Sequence, residues 1–398
     1  MFFSRLRSSL GCTVRDARPF HTYLKAAATG GAIRIPLYSP SIIGVVETRG
    51  PRSFQEDSHQ FAALSLDPEE LHLSAKKSFG IDWDPSAVGD AFARQCLFVG
   101  IYDGHGGPAV SLYLHQNLHG LFESVDKSHI PEIYAWTKEL GGYFKRFRGG
   151  VLAPWLTNPP STQVMDLEAR ATMAFLEADR ILSEGHEAKT CGATASVALL
   201  HSLDSPSTPF YAAKTIGLTV THVGNTRVML CSTEGGRVFN MTDDHRADTR
   251  GEAARLRRLG STRLIMDSFG ETRWMGALEN TRGIGDMKYK PYGVTAEPEV
   301  RTKLLEAPEW AYIVLVTDGV TSVLSDAEIV DLARNSRDPR TAAKNILEFA
   351  EEMGSDDNAT AIVLPLAGWG KVTGPDRTKE LREYRRTEMI GMERLKRM

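Results

Sequence analysis

A chain of 398 residues, 42% hydrophobic and 24% charged with a formal net charge of −3, has the make-up of a soluble globular protein with room for one large domain or two smaller ones. The near-neutral balance offers no basic face for nucleic acid, and apolar runs as short as residues 311–316 argue against a membrane-spanning helix. Cys12, Cys96, Cys191 and Cys231 form no CxxC pair and match no zinc template, which reads as reduced thiols in a reducing compartment.

The first 36 residues carry Arg5, Arg7, Arg15, Arg18, Lys25 and Arg34 against the single acid Asp16, with hydroxyl residues between them. Arg-rich, hydroxyl-rich and acid-poor is the composition of a mitochondrial transit peptide, the alternative being a disordered basic tail. Residues 1–36 are therefore set outside the fold. Strands are expected at 41–48, 95–102, 217–223, 227–231, 310–317 and 360–366, and helices at 109–122, 166–182, 250–259, 326–334 and 341–353. The mixed order suits an α+β layered fold with antiparallel pairing better than a doubly wound parallel sheet. Residues 128–163, rich in Gly, Pro and aromatics, read as an insertion or long loop. Residues 367–398 form a charged tail in which Leu381, Tyr384, Met392 and Leu395 make a weak amphipathic helical pattern.

Four short segments share a pattern, an apolar strand delivering carboxylates at its end: Glu56 and Asp57 after Arg52, Asp103 within Asp103-Gly104-His105-Gly106-Gly107, Asp318 before Gly319, and Asp356-Asp357-Asn358. One Asp-Gly after a strand is ordinarily a turn. If the strands are neighbours in a sheet, however, the acids converge, and crowded carboxylates require a counter-cation. An all-oxygen donor set prefers Mg2+ or Mn2+. A pair of such ions can acidify a water and aim it at phosphorus. Arg52 could then clamp phosphate oxygens, and His105 has the titration range of a general acid; as a structural residue it would simply shape the turn.

These segments, in this order, resemble the PPM-type (type 2C) metal-dependent protein serine/threonine phosphatases. The likeness runs over residues 42–366 and also rests on Cys191-Gly192-Ala193-Thr194-Ala195, Val223-Gly224-Asn225-Thr226-Arg227, Thr242-Asp243-Asp244-His245, Thr281-Arg282-Gly283-Ile284-Gly285-Asp286 and Ala296-Glu297-Pro298-Glu299-Val300. It implies a β-sandwich of two antiparallel sheets flanked by helices, four layers α-β-β-α, over residues 40–366. It also implies that Asp103 bridges two ions with the Gly104 carbonyl on the second, that Asp318 and Asp357 are further ligands, and that Glu56 and Asp57 ligate directly or through water. Arg52 is similar to the family's phosphate-binding arginine and His105 to its general acid, and residues 287–297 match a flap beside the site. The expected substrates are phosphoserine and phosphothreonine in proteins, with the chain a monomer, mitochondrial (in the matrix) or else cytoplasmic. The family's mitochondrial members point to phosphorylated keto-acid dehydrogenase complexes.

The chain departs from the family pattern twice. Asn225 stands where the family usually has aspartate, and Val320-Thr321-Ser322 replaces a segment that often contains Trp-Asp. The resemblance links both missing carboxylates to a third, weaker metal site, which should bind more poorly here. Two other readings are a catalytically impaired relative acting as a binding scaffold and a phosphomonoesterase of small molecules.

Overall fold

The computed structural model describes residues 22–28, 31–257, 264–266 and 272–396. Its strands are β1 (Tyr23–Ala28), β2 (Gly31–Pro36), β3 (Gly44–Thr48), β4 (Ser58–Ser65), β5 (Gln95–His105), β6 (Gly192–Ser202), β7 (Thr215–Val223), β8 (Arg227–Ser232), β9 (Val238–Asn240), β10 (Leu264–Met266), β11 (Thr272–Trp274), β12 (Ile284–Gly285), β13 (Glu299–Glu306), β14 (Trp310–Val316) and β15 (Ala359–Pro365). One sheet has the order β13-β7-β6-β5-β4, with β12 added to β6; the other runs β3-β15-β14-β8-β9. The strand pairs within both sheets are antiparallel.

The helices are α1 (Pro68–Phe79), α2 (Asp90–Ala93), α3 (Ala109–Ser124), α4 (Ile130–Glu139), α5 (Leu167–Ser183), α6 (Arg250–Arg257), α7 (Asp318–Thr321), α8 (Asp326–Ala333), α9 (Pro339–Glu352) and α10 (Lys379–Lys396). Strand periodicity explains the layering. Leu97, Val99 and Ile101 of β5 face Ile313 and Leu315 of β14 in the core between the sheets. The alternate residues Phe98 and Tyr102 turn outward against Leu114, Phe122 and Phe175 of α3 and α5. On the opposite side Tyr312, Val314 and Val316 meet Ala343, Ile346 and Phe349 of α9. Both faces of the central strands are thus covered, which is why β14 is buried throughout and reads as an uninterrupted apolar run. The four-layer α-β-β-α sandwich is the expected fold.

Local signals set the helix ends. Asp338 caps α9 by accepting from Thr341 N at 2.7 Å, with Pro339 opening the helix. Ser325 and Glu328 form a capping box at the start of α8.

Three segments differ from the sequence expectation. Within the stretch set outside the fold, β1 and β2 form a hairpin that buries Leu24, Ala26 and Ile35 in the inter-sheet core. Gln95 accepts from Lys25 N at 2.7 Å and donates to Lys25 O at 3.0 Å, tying the hairpin to β5. The fold therefore includes residues before 36, and the other leader residues, 1–21 and 29–30, lie outside those described. The supposed loop 128–163 contains α4 and 3-10 turns at Gly142–Arg146 and Gly150–Leu156, with Ile130, Ile133 and Leu152 buried against the α3–α5 layer.

The tail is also built in. Arg334, at the end of α8, donates to the carbonyls of Thr373, Gly374 and Pro375, while Asp331 accepts from Thr378. In α10 Leu381 and Tyr384 are exposed and Arg382 and Arg385 face the body, the reverse of the apolar pattern read from sequence. The side chains of Met392 and Leu395 lie outside the described set.

Candidate active site

Antiparallel pairing gathers the acids at one end of the sandwich. Asp103 lies near the end of β5 and Asp57 directly before β4; since Ser58 pairs with Tyr102, both sit at the same edge of one sheet. In the other sheet Asp318 follows β14 and Asp357 precedes β15, with Val316 paired to Ala361. The two sheets meet through Asp57, whose Oδ2 accepts from Thr317 Oγ1 at 2.9 Å and Thr360 Oγ1 at 2.7 Å. Two acids therefore come from strand ends and two from strand starts, a correction to the reading in which each strand delivers its acids at its end.

The cluster is electrostatically unfavourable without a cation. Burial pushes Asp103 well above the usual carboxylate range, and the neighbouring Asp318 and Asp57 raise it further. Asp57 is pushed up to about 7 by burial, although Thr360 and Thr317 pull it back, and Asp318 is raised by burial and by Asp357. Several of these acids have protein partners, and among the described residues no three His, Cys, Asp or Glu side chains form a ready coordination shell. Two buried oxygens, Asp57 Oδ1 and Asp103 Oδ2, nevertheless have no hydrogen-bond partner. Unpartnered buried carboxylate oxygens among neighbouring acids match the donor chemistry of a hard divalent cation, so Asp57, Asp103, Asp318 and Asp357 fit such a group.

The loop carrying Arg52, Glu56 and Asp57 is fastened by Asn358. Its Nδ2 donates to Arg49 O and Phe54 O, and its Oδ1 accepts from Glu56 N at 2.8 Å. The charge of Glu56 acts on His105. Gly104 is required by close approach: a Cβ there would lie 2.6 Å from Glu56 O and 2.9 Å from Ser111 Oγ.

Arg52 lies at the rim, its side chain 53% exposed, with Nη2 on Asp357 Oδ2 at 2.7 Å and Nε on Asp356 O at 3.1 Å. His105 Nε2 meets Asp286 Oδ2 at 2.8 Å. Burial opposes a charged imidazole, but Asp286 outweighs it and the His105 pKa is raised above its ordinary value. With Nε2 engaged, Nδ1 is the ring nitrogen left for another partner. A Cβ on Gly192 would lie 2.2 Å from Asp286 Oδ2 and 2.6 Å from His105 Nε2, so the glycine makes room for the pair. Behind it, buried Asp179 pairs with buried Lys290 at 2.7 Å and accepts from Gly285 N at 2.8 Å. The segment expected as a flap begins here, as a 3-10 turn over Met287–Tyr292.

Asn225 Nδ2 donates to Asp318 Oδ2 at 3.0 Å, and its Oδ1 is buried without a partner. Asn225 is thus a neutral donor where a carboxylate would add repulsion. Exposed Ser322 bonds Gly319 O through its hydroxyl and brings no charge.

All the sequence-named residues belong to this end of the molecule, with Asp57, Asp103, Asp318 and Asp357 mutually close, Arg52 at the rim and Glu56 toward His105. Sequence reading gave no role to Asp286, Asn358, Thr317 or Thr360. Asp286 did stand in a quoted motif, and its left-handed backbone (φ 52°) is a constraint visible only in three dimensions.

A family model described as Protein phosphatase 2C matches residues 93–359. The chain is similar to Protein phosphatase 2C homolog 4 of Schizosaccharomyces pombe, 34% identical over 297 residues, covering 72% of this chain and 75% of that one. It is 31% identical over 275 residues to Protein phosphatase 1K, mitochondrial, of Xenopus laevis, covering 69% of this chain and 62% of that relative. A crystal structure of serine-threonine phosphatase 2C from Toxoplasma gondii shares the fold, with a TM-score of 0.53 at 19% identity over 81% of this chain and 94% of that one.

Proposed function

This chain belongs to the protein phosphatase 2C family of protein serine/threonine phosphatases, and on that premise we propose that it is a monomeric enzyme that hydrolyses phosphoserine and phosphothreonine in proteins with two Mg2+ or Mn2+ ions. Asp103, Asp318 and Asp357, the Gly104 carbonyl, and Asp57 and Glu56 directly or through water would hold them. Such ions, when bound, supply positive charge for the phosphate oxygens and lower the pKa of an attacking water.

The chain's own residues supply the remainder. Arg52, released from Asp357 when that carboxylate is otherwise engaged, offers its guanidinium fork to phosphate. Asp286 favours the protonated imidazole of His105 and orients it through Nε2, so that Nδ1–H can deliver a proton to the departing alkoxide. Asn225 steadies Asp318 without adding charge, leaving a third cation weakly held. The Arg-rich leader and the mitochondrial Xenopus laevis relative support a mitochondrial location.

The observation that carries this reading is the convergence of four carboxylates with two unpartnered buried oxygens. The full chain is assayed on a phosphothreonine peptide and on p-nitrophenyl phosphate with Mn2+, Mg2+ or chelator. Chelator-sensitive turnover that Asp318→Asn abolishes is expected; turnover that survives either treatment refutes the reading, and inactivity under every metal favours a binding scaffold.

A further inference from the structure

The rim of the site carries an apolar side chain that the proposed chemistry does not use. Phe54 is 71% exposed, the most exposed of the large hydrophobics among the described residues, and it belongs to none of the core clusters. It stands two residues after Arg52 and two before Glu56. Its backbone is held: Phe54 O accepts from Asn358 Nδ2 at 3.0 Å, and the same asparagine holds Arg49 O and Glu56 N. The ring therefore projects from a fixed loop, and its position is coupled to that of Asp357 next to Asn358.

An exposed phenylalanine loses free energy to water and regains it when covered. Two residues of chain span at most about 7 Å, so the Phe54 Cα lies no farther than that from the Arg52 Cα, and a few residues of an extended peptide bridge from the phosphate clamped by the Arg52 side chain to the ring. We propose that Phe54 is a specificity-determining residue that packs against a bulky apolar side chain close in sequence to the phosphorylated serine or threonine. This rests on the phosphatase reading above and names the substrate class that site prefers. A charged or small flanking residue would leave the ring wet and gain nothing from it.

The full chain is tested with Mn2+ on p-nitrophenyl phosphate and on phosphothreonine peptides of polar sequence carrying one leucine at each position within three residues of the phosphothreonine, or none. At least one leucine peptide is expected to exceed the leucine-free peptide by about tenfold in kcat/KM, the scale of one partly covered apolar contact. Phe54→Ala should bring that peptide down to the leucine-free value, with p-nitrophenyl phosphate turnover and Tm unchanged, and Phe54→Leu should restore part of the preference. Equal kcat/KM across the peptides, or a leucine preference that survives Phe54→Ala, overturns this inference while leaving the phosphatase reading standing. No turnover of any peptide overturns both.

Discussion

Asn225→Asp tests how the acidic end of the sandwich is balanced. Asn225 is 6% exposed and donates to Asp318 at 3.0 Å, so the substitution removes a donor and sets another carboxylate against one already raised by burial and by Asp357. Two full charges about 3 Å apart repel by about 5 kcal/mol at an effective dielectric constant of 20. Taking up a proton is cheaper: protonating a carboxyl of ordinary pKa, about 4, costs about 4 kcal/mol at about pH 7. The new acid therefore protonates, and the loss of stability in chelator levels off near that value. Because a raised carboxyl pKa costs nothing below the unfolded pKa, the deficit shrinks by about 1.4 kcal/mol per pH unit as pH falls from 7 toward 4. Urea denaturation in chelator at pH 5, 6 and 7 measures it, and calorimetric Mn2+ titration should show tighter or additional binding in the variant. A titration identical to that of the wild-type chain, or a stability gap that does not narrow on acidification, refutes the reasoning.

Asp286→Asn should lower phosphopeptide kcat by about a hundredfold, the usual scale of a proton-transfer contribution, while calorimetric Mn2+ binding stays near wild type. Burial pushes Glu252 upward, but Arg255 and Arg282 more than reverse this and bring it to about 2. A depressed pKa stabilises the fold above the unfolded value of 4.5, so about 3 kcal/mol should disappear as pH falls from 4.5 toward 2. Glu252→Gln, which removes the buried carboxylate shared by two partly buried guanidinium groups, should cost about 3 kcal/mol in urea denaturation at pH 7. Deleting residues 368–398 removes the carbonyls that satisfy Arg334, whose side chain is 3% exposed, and should destabilise the chain by about 3–5 kcal/mol; a wild-type urea midpoint would mean the tail is not part of the fold.

The sequence by itself determined the chemistry available: an oxygen-only set of acids, an arginine and a histidine beside them, and no cluster of softer ligands. It also marked strands whose two faces are both covered, such as β14, because continuous burial demands a continuous apolar run. Strands that carry small or polar residues escaped it. Among them are β6, which opens Gly-Ala-Thr-Ala-Ser, alanine-bearing β4, and edge strand β13 with its alternating charges. Their strand character comes from their neighbours' hydrogen bonds and not from their own propensity.

Tertiary structure alone decided which acids meet. Asp57, directly before β4, bonds Thr317 and Thr360 at the β14 and β15 end of the other sheet, 260 and 303 positions away, a closeness that no local pattern encodes. Likewise it turned Asn225 from a missing ligand into a donor to Asp318 and gave His105 its partner in Asp286. Composition and spacing can name a charge. Only packing fixes the partners around that charge, and with them its desolvation and protonation.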